Sequence, residues 1–221
     1  LPPTDWVHEN RKEFPAFKIG RFWVHGSHIT HPAPTGLFPL CVDAAQAFGS
    51  GTHATTKGCL LAIQNASRSK RHIRRILDLG CGSGILSMAA KSLNPSAAVM
   101  AADYDKISVE TTRQNWHINQ YPKTAFFALH SDGFSHERLR GKQKFDLIVA
   151  NILAKPLKQF APLIAQNLAS NGRVILSGLL TSQMRDIRAI YRHHHLFVMQ
   201  HIQMDAWSTL LLAPKTNYTK R

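Results

Sequence analysis

Seven consecutive residues, Asp78-Leu79-Gly80-Cys81-Gly82-Ser83-Gly84, hold the densest chemistry in this chain. They join an apolar run, Ile76 to Leu79, to a stretch with helical periodicity, Ile85 to Leu93. Glycines at such a strand-to-helix turn let a ligand come close to the backbone, and the N–H groups of the helix's first turn attract a negative group. A pyrophosphate fingerprint, G-x-G-x-x-G, would need glycine where Ile85 stands, so the spacing here is G-x-G-x-G instead. Asp78 at the strand end suits a ligand that also carries an ammonium group. Asp103 ends the next apolar run, about 20 residues beyond the loop, where a carboxylate accepts both hydroxyls of a ribose. The three features together ask for a nucleoside that ends in an amino acid. For the glycines alone, a tight turn with no ligand is the plainer reading.

S-Adenosylmethionine has that chemistry: a ribose for Asp103, an ammonium for Asp78, and a carboxylate to rest on Gly80, Gly82 and Gly84. Asp132, in Ser131-Asp132-Gly133, can accept from the adenine amino group, with an ordinary turn aspartate as the alternative. Asn151 ends the apolar run Phe145 to Ala150 and should stand at the sheet edge between cofactor and substrate; helix capping is its alternative role. His53 lies on a nearby polar loop, Gly49 to His53, where ordering the loop is preferred over acting as a general base. His193-His194-His195 reads as a solvated helix end rather than a metal site, because consecutive histidines point in different directions and lack partners. Trp23, Trp116 and Trp207 read as packing residues, and nothing marks Cys81 as an activated thiolate.

The elements that must position these residues alternate. Strands are expected at Phe17–His25, Leu40–Asp43, Ile76–Leu79, Ala97–Ala102, Thr124–Leu129, Phe145–Ala150, Arg173–Ser177, Leu196–Ile202 and Trp207–Leu212. Helices are expected from Asp5 to Phe14, from a Thr55 or Thr56 cap to Ser67, and over Ile85–Leu93, Lys106–Asn119 and Ser182–His193. The clearest helix carries Leu157, Phe160, Ala161, Ile164 and Leu168 on one face and is closed by Asn171-Gly172. Apolar strands alternating with helices imply an α/β fold with a parallel sheet covered on both faces. The 221 residues fit one large domain, and the 44% hydrophobic content can fill its core. The expected divisions are a linker and N-terminal extension at 1–45, the main domain at 46–214 and a polar tail at 215–221.

Twenty-seven Lys and Arg against thirteen Asp and Glu give a formal charge of +14, which favours a polyanionic partner such as a ribonucleoprotein. The clusters are Arg68–Arg75, Arg138–Lys144 and the Arg185–Arg188–Arg192 ridge, none of them interleaved with base-stacking aromatics. No apolar run is long enough to span a bilayer. The chain starts at Leu1, which reads as a processed or truncated terminus, and three scattered cysteines indicate a reducing compartment, the cytoplasm.

These residues resemble the class I methyltransferases, and a narrower match follows. Ala47 to Thr56, Leu79 to Leu86 and Val149-Ala150-Asn151-Ile152-Leu153 resemble the bacterial PrmA family, which methylates amino groups of the large-subunit stalk-base ribosomal protein. Asp5-Trp6-Val7 and Gly20 to His28 are similar to that family's lead-in to its catalytic domain. The resemblance implies a Rossmann-like, seven-stranded, mostly parallel sheet with a reversed last strand. It implies cofactor contacts from Thr56, Gly80, Asp103 and Asn151 and a ribosomal protein as substrate; from the residues themselves, neither a metal nor a membrane is expected. The family's N-terminal ferredoxin-like substrate-recognition module is expected to be missing here, with the sequence either part of a longer chain or its recognition reduced or delegated. A nucleic-acid methyltransferase is the first rival, although Asn151 is followed by Ile152-Leu153 and not by an aromatic that could stack a flipped base. A silent cofactor- or ribosome-binding module is the second.

Overall fold

The computed structural model describes residues 15–43, 53–68, 72–140 and 144–215. The expected helix from Asp5 to Phe14, the loop at Gly49 to Thr52 and most of the polar tail lie outside the described residues. Three short strands come first: β1 (Phe17–Ile19), β2 (Phe22–His25) and β3 (Phe38–Cys41). Then follow α1 (Ala54–Ser67), β4 (Arg75–Leu79), α2 (Ile85–Leu93), β5 (Ala98–Asp103), α3 (Lys106–Ile118), β6 (Phe126–His130) and β7 (Phe145–Asn151). The chain continues through α4 (Ala154–Asn167), β8 (Leu168–Leu180), α5 (Met184–His193), β9 (Leu196–Met204) and β10 (Trp207–Pro214).

The expected seven-stranded sheet forms, in the order β6-β5-β4-β7-β8-β10-β9. Strands β4 to β8 run parallel, and the last strand, β10, is antiparallel to both neighbours. Successive strand residues point to opposite faces, which splits the core in two. Ile76, Val99, Leu147, Val149 and Ile175 pack with α1 and α2 residues such as Leu60, Ile63, Met88 and Ala89. Leu77, Leu79, Ile148, Ala150 and Leu176 pack on the other face with Leu157 and Ile164 of α4 and Ile187 and Tyr191 of α5. Each fully buried Leu or Ile is worth about 1.5–3 kcal/mol of transfer free energy, so this alternation fixes the register. The small sheet β1–β3 adds Phe22, Val24 and Leu40 to the α1–α2 side.

Three expectations change. Phe17–His25 is a hairpin, because the chain turns at Gly20-Arg21 and pairs Phe17 with Val24. Helix α4 ends at Asn167, and Leu168 is already extended (φ −83°, ψ 138°), so Asn171-Gly172 does not cap it. Instead Phe145 pairs with Leu168 and Leu147 with Arg173, and the surplus residues, Asn171-Gly172 among them, bulge out of a 13-residue strand. The N-cap of α1 is His53, whose ring accepts from the Thr55 N–H.

Candidate functional site

Alternation carries Asp78, Asp103 and Asn151 to the carboxyl ends of β4, β5 and β7 on the α1–α3 face, in step with Ile76, Val99 and Val149. A parallel sheet places its ligand crevice at that edge. Here it holds a cavity of about 480 Å³, an ordinary size for a small-molecule site. Gly80, Asp103, Asp132 and Asn151 border it. Thr56, Asp78, Gly82 and Gly84 are not part of its lining.

The glycine loop is folded onto β5. The N–H groups of Gly80 and Cys81 donate to Ala102 O, that of Gly82 to Asp103 Oδ2 at 2.9 Å, and that of Gly84 to Cys81 O. The glycine amides are therefore already taken, and an anion at this edge must be met by other groups. What the loop supplies is room: Gly80 adopts φ +78°, and a Cβ there would run into Ile152 Cγ2. From β8, Gly178 meets the same residue, since a Cβ would strike the Ile152 carbonyl. Behind the loop, the Thr112 hydroxyl of α3 donates to Gly82 O (2.9 Å) and Asn115 Nδ2 to Ser83 O (2.8 Å). Burial pushes the Cys81 thiol well above its ordinary range, which leaves it inert.

Asp78 is fully buried. Its Oδ2 accepts from the Ser87 N–H (2.9 Å) and hydroxyl (2.7 Å), while Oδ1 has no hydrogen-bond partner among the described residues. Burial pushes this carboxyl up to about 7, the Ser87 bonds pull it back, and the nearby Asp103 charge raises it further. Asp103 uses one lone pair of Oδ2 for Gly82 and one of Oδ1 for the Asp105 N–H at 3.0 Å. Each oxygen keeps a second lone pair. Thr56 Oγ1 and Asn151 Oδ1 are likewise buried without a hydrogen-bond partner among the described residues. Buried polar atoms are normally satisfied; these three oxygens are exceptions, and of their residues only Asn151 borders the cavity. An ammonium, a carboxylate and sugar hydroxyls fit that donor and acceptor set. Asp132 is exposed at the rim.

His53 borders the cavity. Because its Nδ1 accepts the Thr55 N–H (3.3 Å) and lies 2.8 Å from Thr55 Oγ1, the neutral ring carries its proton on Nε2. The ring is thereby tied to the start of α1. The sequence reading missed Thr55, Tyr104, Phe160 and Trp207 as lining residues. Trp207 was expected only to pack, yet it stands edge-on to His53 at 5.0 Å beside the cavity. Ile152-Leu153 after Asn151 holds no aromatic, but Tyr104 after β5, Phe160 of α4 and Trp207 of β10 all line the cavity, which only the fold reveals. Trp116 does pack, stacked on Phe126 at 3.8 Å, and Trp23 is buried against His25. His193, His194 and His195 fall at the end of α5, and among the described residues no group of three metal-ligating side chains occurs. Among the described residues no helix is long and apolar enough to cross a membrane.

A twisted parallel sheet with one reversed strand, helices on both faces and a nucleoside-sized cavity at its carboxyl edge defines the class I S-adenosylmethionine-dependent methyltransferases. Solved structures agree: a 16S rRNA methyltransferase from T. thermophilus, in complex with AdoMet and guanosine, shares the fold with a TM-score of 0.60 at 23% identity, over 76% of this chain and 45% of that one. A ribosomal protein L11 methylase from Lactobacillus delbrueckii subsp. bulgaricus superposes with a TM-score of 0.80 at 25% identity, over 91% of this chain and 99% of that one. The ribosomal protein L11 methyltransferase of Bradyrhizobium diazoefficiens is 39% identical over 209 residues, 94% of this chain and 70% of that protein. That of Rhizobium meliloti is 38% identical over 212 residues, 96% of this chain and 72% of that protein. The family model for ribosomal protein L11 methyltransferase (PrmA) matches residues 1–215, and the chain belongs to that family.

Proposed function

We propose that this chain methylates amino groups of ribosomal protein L11 in the cytoplasm with S-adenosylmethionine as donor. The observation that carries the reading is the cavity edge bordered by Gly80, Asp103, whose two oxygens each keep a second lone pair, and Asn151, whose buried Oδ1 has no partner among the described residues, with the unpartnered Asp78 Oδ1 and Thr56 Oγ1 buried outside that lining. Asp103 holds the ribose through its two remaining lone pairs, Asp78 faces the ammonium, and the Thr56 hydroxyl donates to the carboxylate. Gly80 leaves room for the tail, and Asp132 accepts from the adenine amino group. When bound, the cofactor supplies a methyl group activated by its sulfonium.

The protein's part is positioning and desolvation. A lysine ammonium has a reference pKa of about 10.4 and must lose a proton before it can attack. Ile152, Leu153, Pro156 and Phe160 present an apolar wall that excludes water and lowers that value. Asn151 Oδ1 accepts an N–H of the amine and aims its lone pair. His53, with Nδ1 occupied, orients Thr55 and does not take the proton.

The test is transfer of tritium from labelled S-adenosylmethionine to purified ribosomal protein L11 and, in parallel, to ribosomal RNA. Label on the protein, lost in Asn151→Ala, is expected. Label on the RNA, or on neither, would refute the proposal.

A further inference from the structure

We infer that the exposed basic face of α4 and α5 is a docking surface for the phosphate backbone of folded RNA. Both helices start at the carboxyl edge of the sheet, α4 directly after Leu153 of the cavity wall and α5 after the turn that ends β8, and both run away from it. They carry Lys155, Lys158, Arg185, Arg188 and Arg192 against one acid, Asp186. That acid is taken by Lys158 at 3.0 Å. Arg185, Arg188 and Arg192 are exposed and have no ion-pair partner among the described residues.

Their spacing is helical. Ile187 and Tyr191 turn inward and are fully buried, and the Tyr191 hydroxyl donates to Leu157 O at 2.9 Å, which fastens α5 to α4. The three arginines therefore form one outward ridge on a rigid helix pair. At 1.5 Å rise per residue the ridge spans roughly 10 Å, the reach of about three successive phosphates on one strand.

Helix stability does not explain these cations. Lys155 and Arg185 are the second residues of α4 and α5, where the positive end of the helix dipole favours acids. Only Arg192, in the last turn of α5, sits where the dipole welcomes a cation. Two misplaced positive charges at adjacent helix starts, beside a substrate site, are accounted for by an anionic partner. The arginine ridge offers no exposed aromatic, since the aromatic of α5, Tyr191, is buried. The contact is therefore to backbone and not to bases, and it is independent of sequence.

The probe is a fluorescein-labelled RNA hairpin of about 20 base pairs, with binding read by anisotropy across a salt series. The triple variant Arg185→Gln, Arg188→Gln, Arg192→Gln should bind at least about tenfold more weakly, with a slope of log K against log salt shallower by about two to three. Each single replacement should remove about one unit of slope. S-adenosylmethionine affinity and melting temperature should stay at the parent's values in the triple and the singles alike. A second triple that removes equal charge elsewhere, Lys18→Gln, Lys123→Gln, Arg138→Gln, should change RNA affinity less than about threefold. Equal losses in the two triples would mean a mean-field attraction and overturn the proposal. So would no RNA binding by the parent chain, or a loss seen only with vesicles of acidic lipid.

Discussion

Replacing Asp78 with Asn tests the electrostatics of the site without any ligand. The carboxyl rises from 3.8 in the unfolded chain to about 7 in the folded one. A group whose folded pKa is raised binds more protons in the folded state across that window, so its contribution to stability is fully present below about pH 4 and is lost as the pH climbs through 7. At about 1.4 kcal/mol per unit, the ionised carboxylate costs the folded state on the order of 4 kcal/mol above pH 7. Asn carries no charge and escapes this penalty. Its amide does leave N–H groups where Oδ1 had no partner, a pH-independent loss of about 1–3 kcal/mol. The discriminating quantity is therefore the change with pH. Between about pH 5 and about pH 8.5, Asp78→Asn should gain about 3 kcal/mol on the parent, roughly 6–12 °C in relative melting temperature. Thermal melts of both proteins across that range, without cofactor, read it directly. A difference that stays flat with pH would refute the claim that the buried carboxylate is unpaired.

Asp103→Ala should weaken S-adenosylmethionine binding more than about tenfold, because charge-assisted hydrogen bonds to the ribose are lost; unchanged affinity in calorimetry would contradict the ribose assignment. Gly80→Ala should destabilise the chain by at least about 1–2 kcal/mol through its left-handed backbone alone, and the Cβ contact with Ile152 adds to that. Pairing it with Ile152→Ala should recover the steric part in denaturant melts; no recovery would place the strain elsewhere. Tyr191→Phe leaves Leu157 O without its buried donor, so a loss of about 1 kcal/mol is expected. No change in urea midpoint would show that bond to be idle.

The sheet was legible because its strands are short, near-continuous apolar runs set between helices: Ile76, Leu77 and Leu79 in β4, and Phe145 and Leu147 to Ala150 in β7, supply apolar side chains to both faces, as a covered parallel strand must. Asp103 and Asn151 were legible for the same reason, as polar stops on apolar runs. What failed was local punctuation. Gly20 looked like an interior residue of one strand and turns a hairpin, while Asn171-Gly172 looked like a helix stop and lies in a bulge, because tertiary pairing overrode turn chemistry. The missed lining residues come from separate elements, so no spacing rule joins Thr55, Tyr104, Phe160 and Trp207. Gly178 did leave a signal: a glycine near the end of an apolar strand marks a close backbone approach, here Ile152.

The choice between a dinucleotide and an amino-acid nucleoside rests on firmer ground in the structure than the missing third glycine gave it. A phosphate cradle offers free backbone N–H groups, and here those of Gly80, Cys81, Gly82 and Gly84 are all occupied. The edge offers acceptors instead: Asp78 Oδ1, Asn151 Oδ1 and the second lone pairs of Asp103. A pyrophosphate would meet carboxylates without a free glycine donor, whereas the ammonium and ribose hydroxyls of an amino-acid nucleoside suit these acceptors. The chain's +14 charge sharpens the contrast. Cations stand on the outer faces of α4 and α5, whereas Asp78 and Asp103 are buried at the carboxyl ends of β4 and β5, so the protein keeps its buried acids apart from its basic surface.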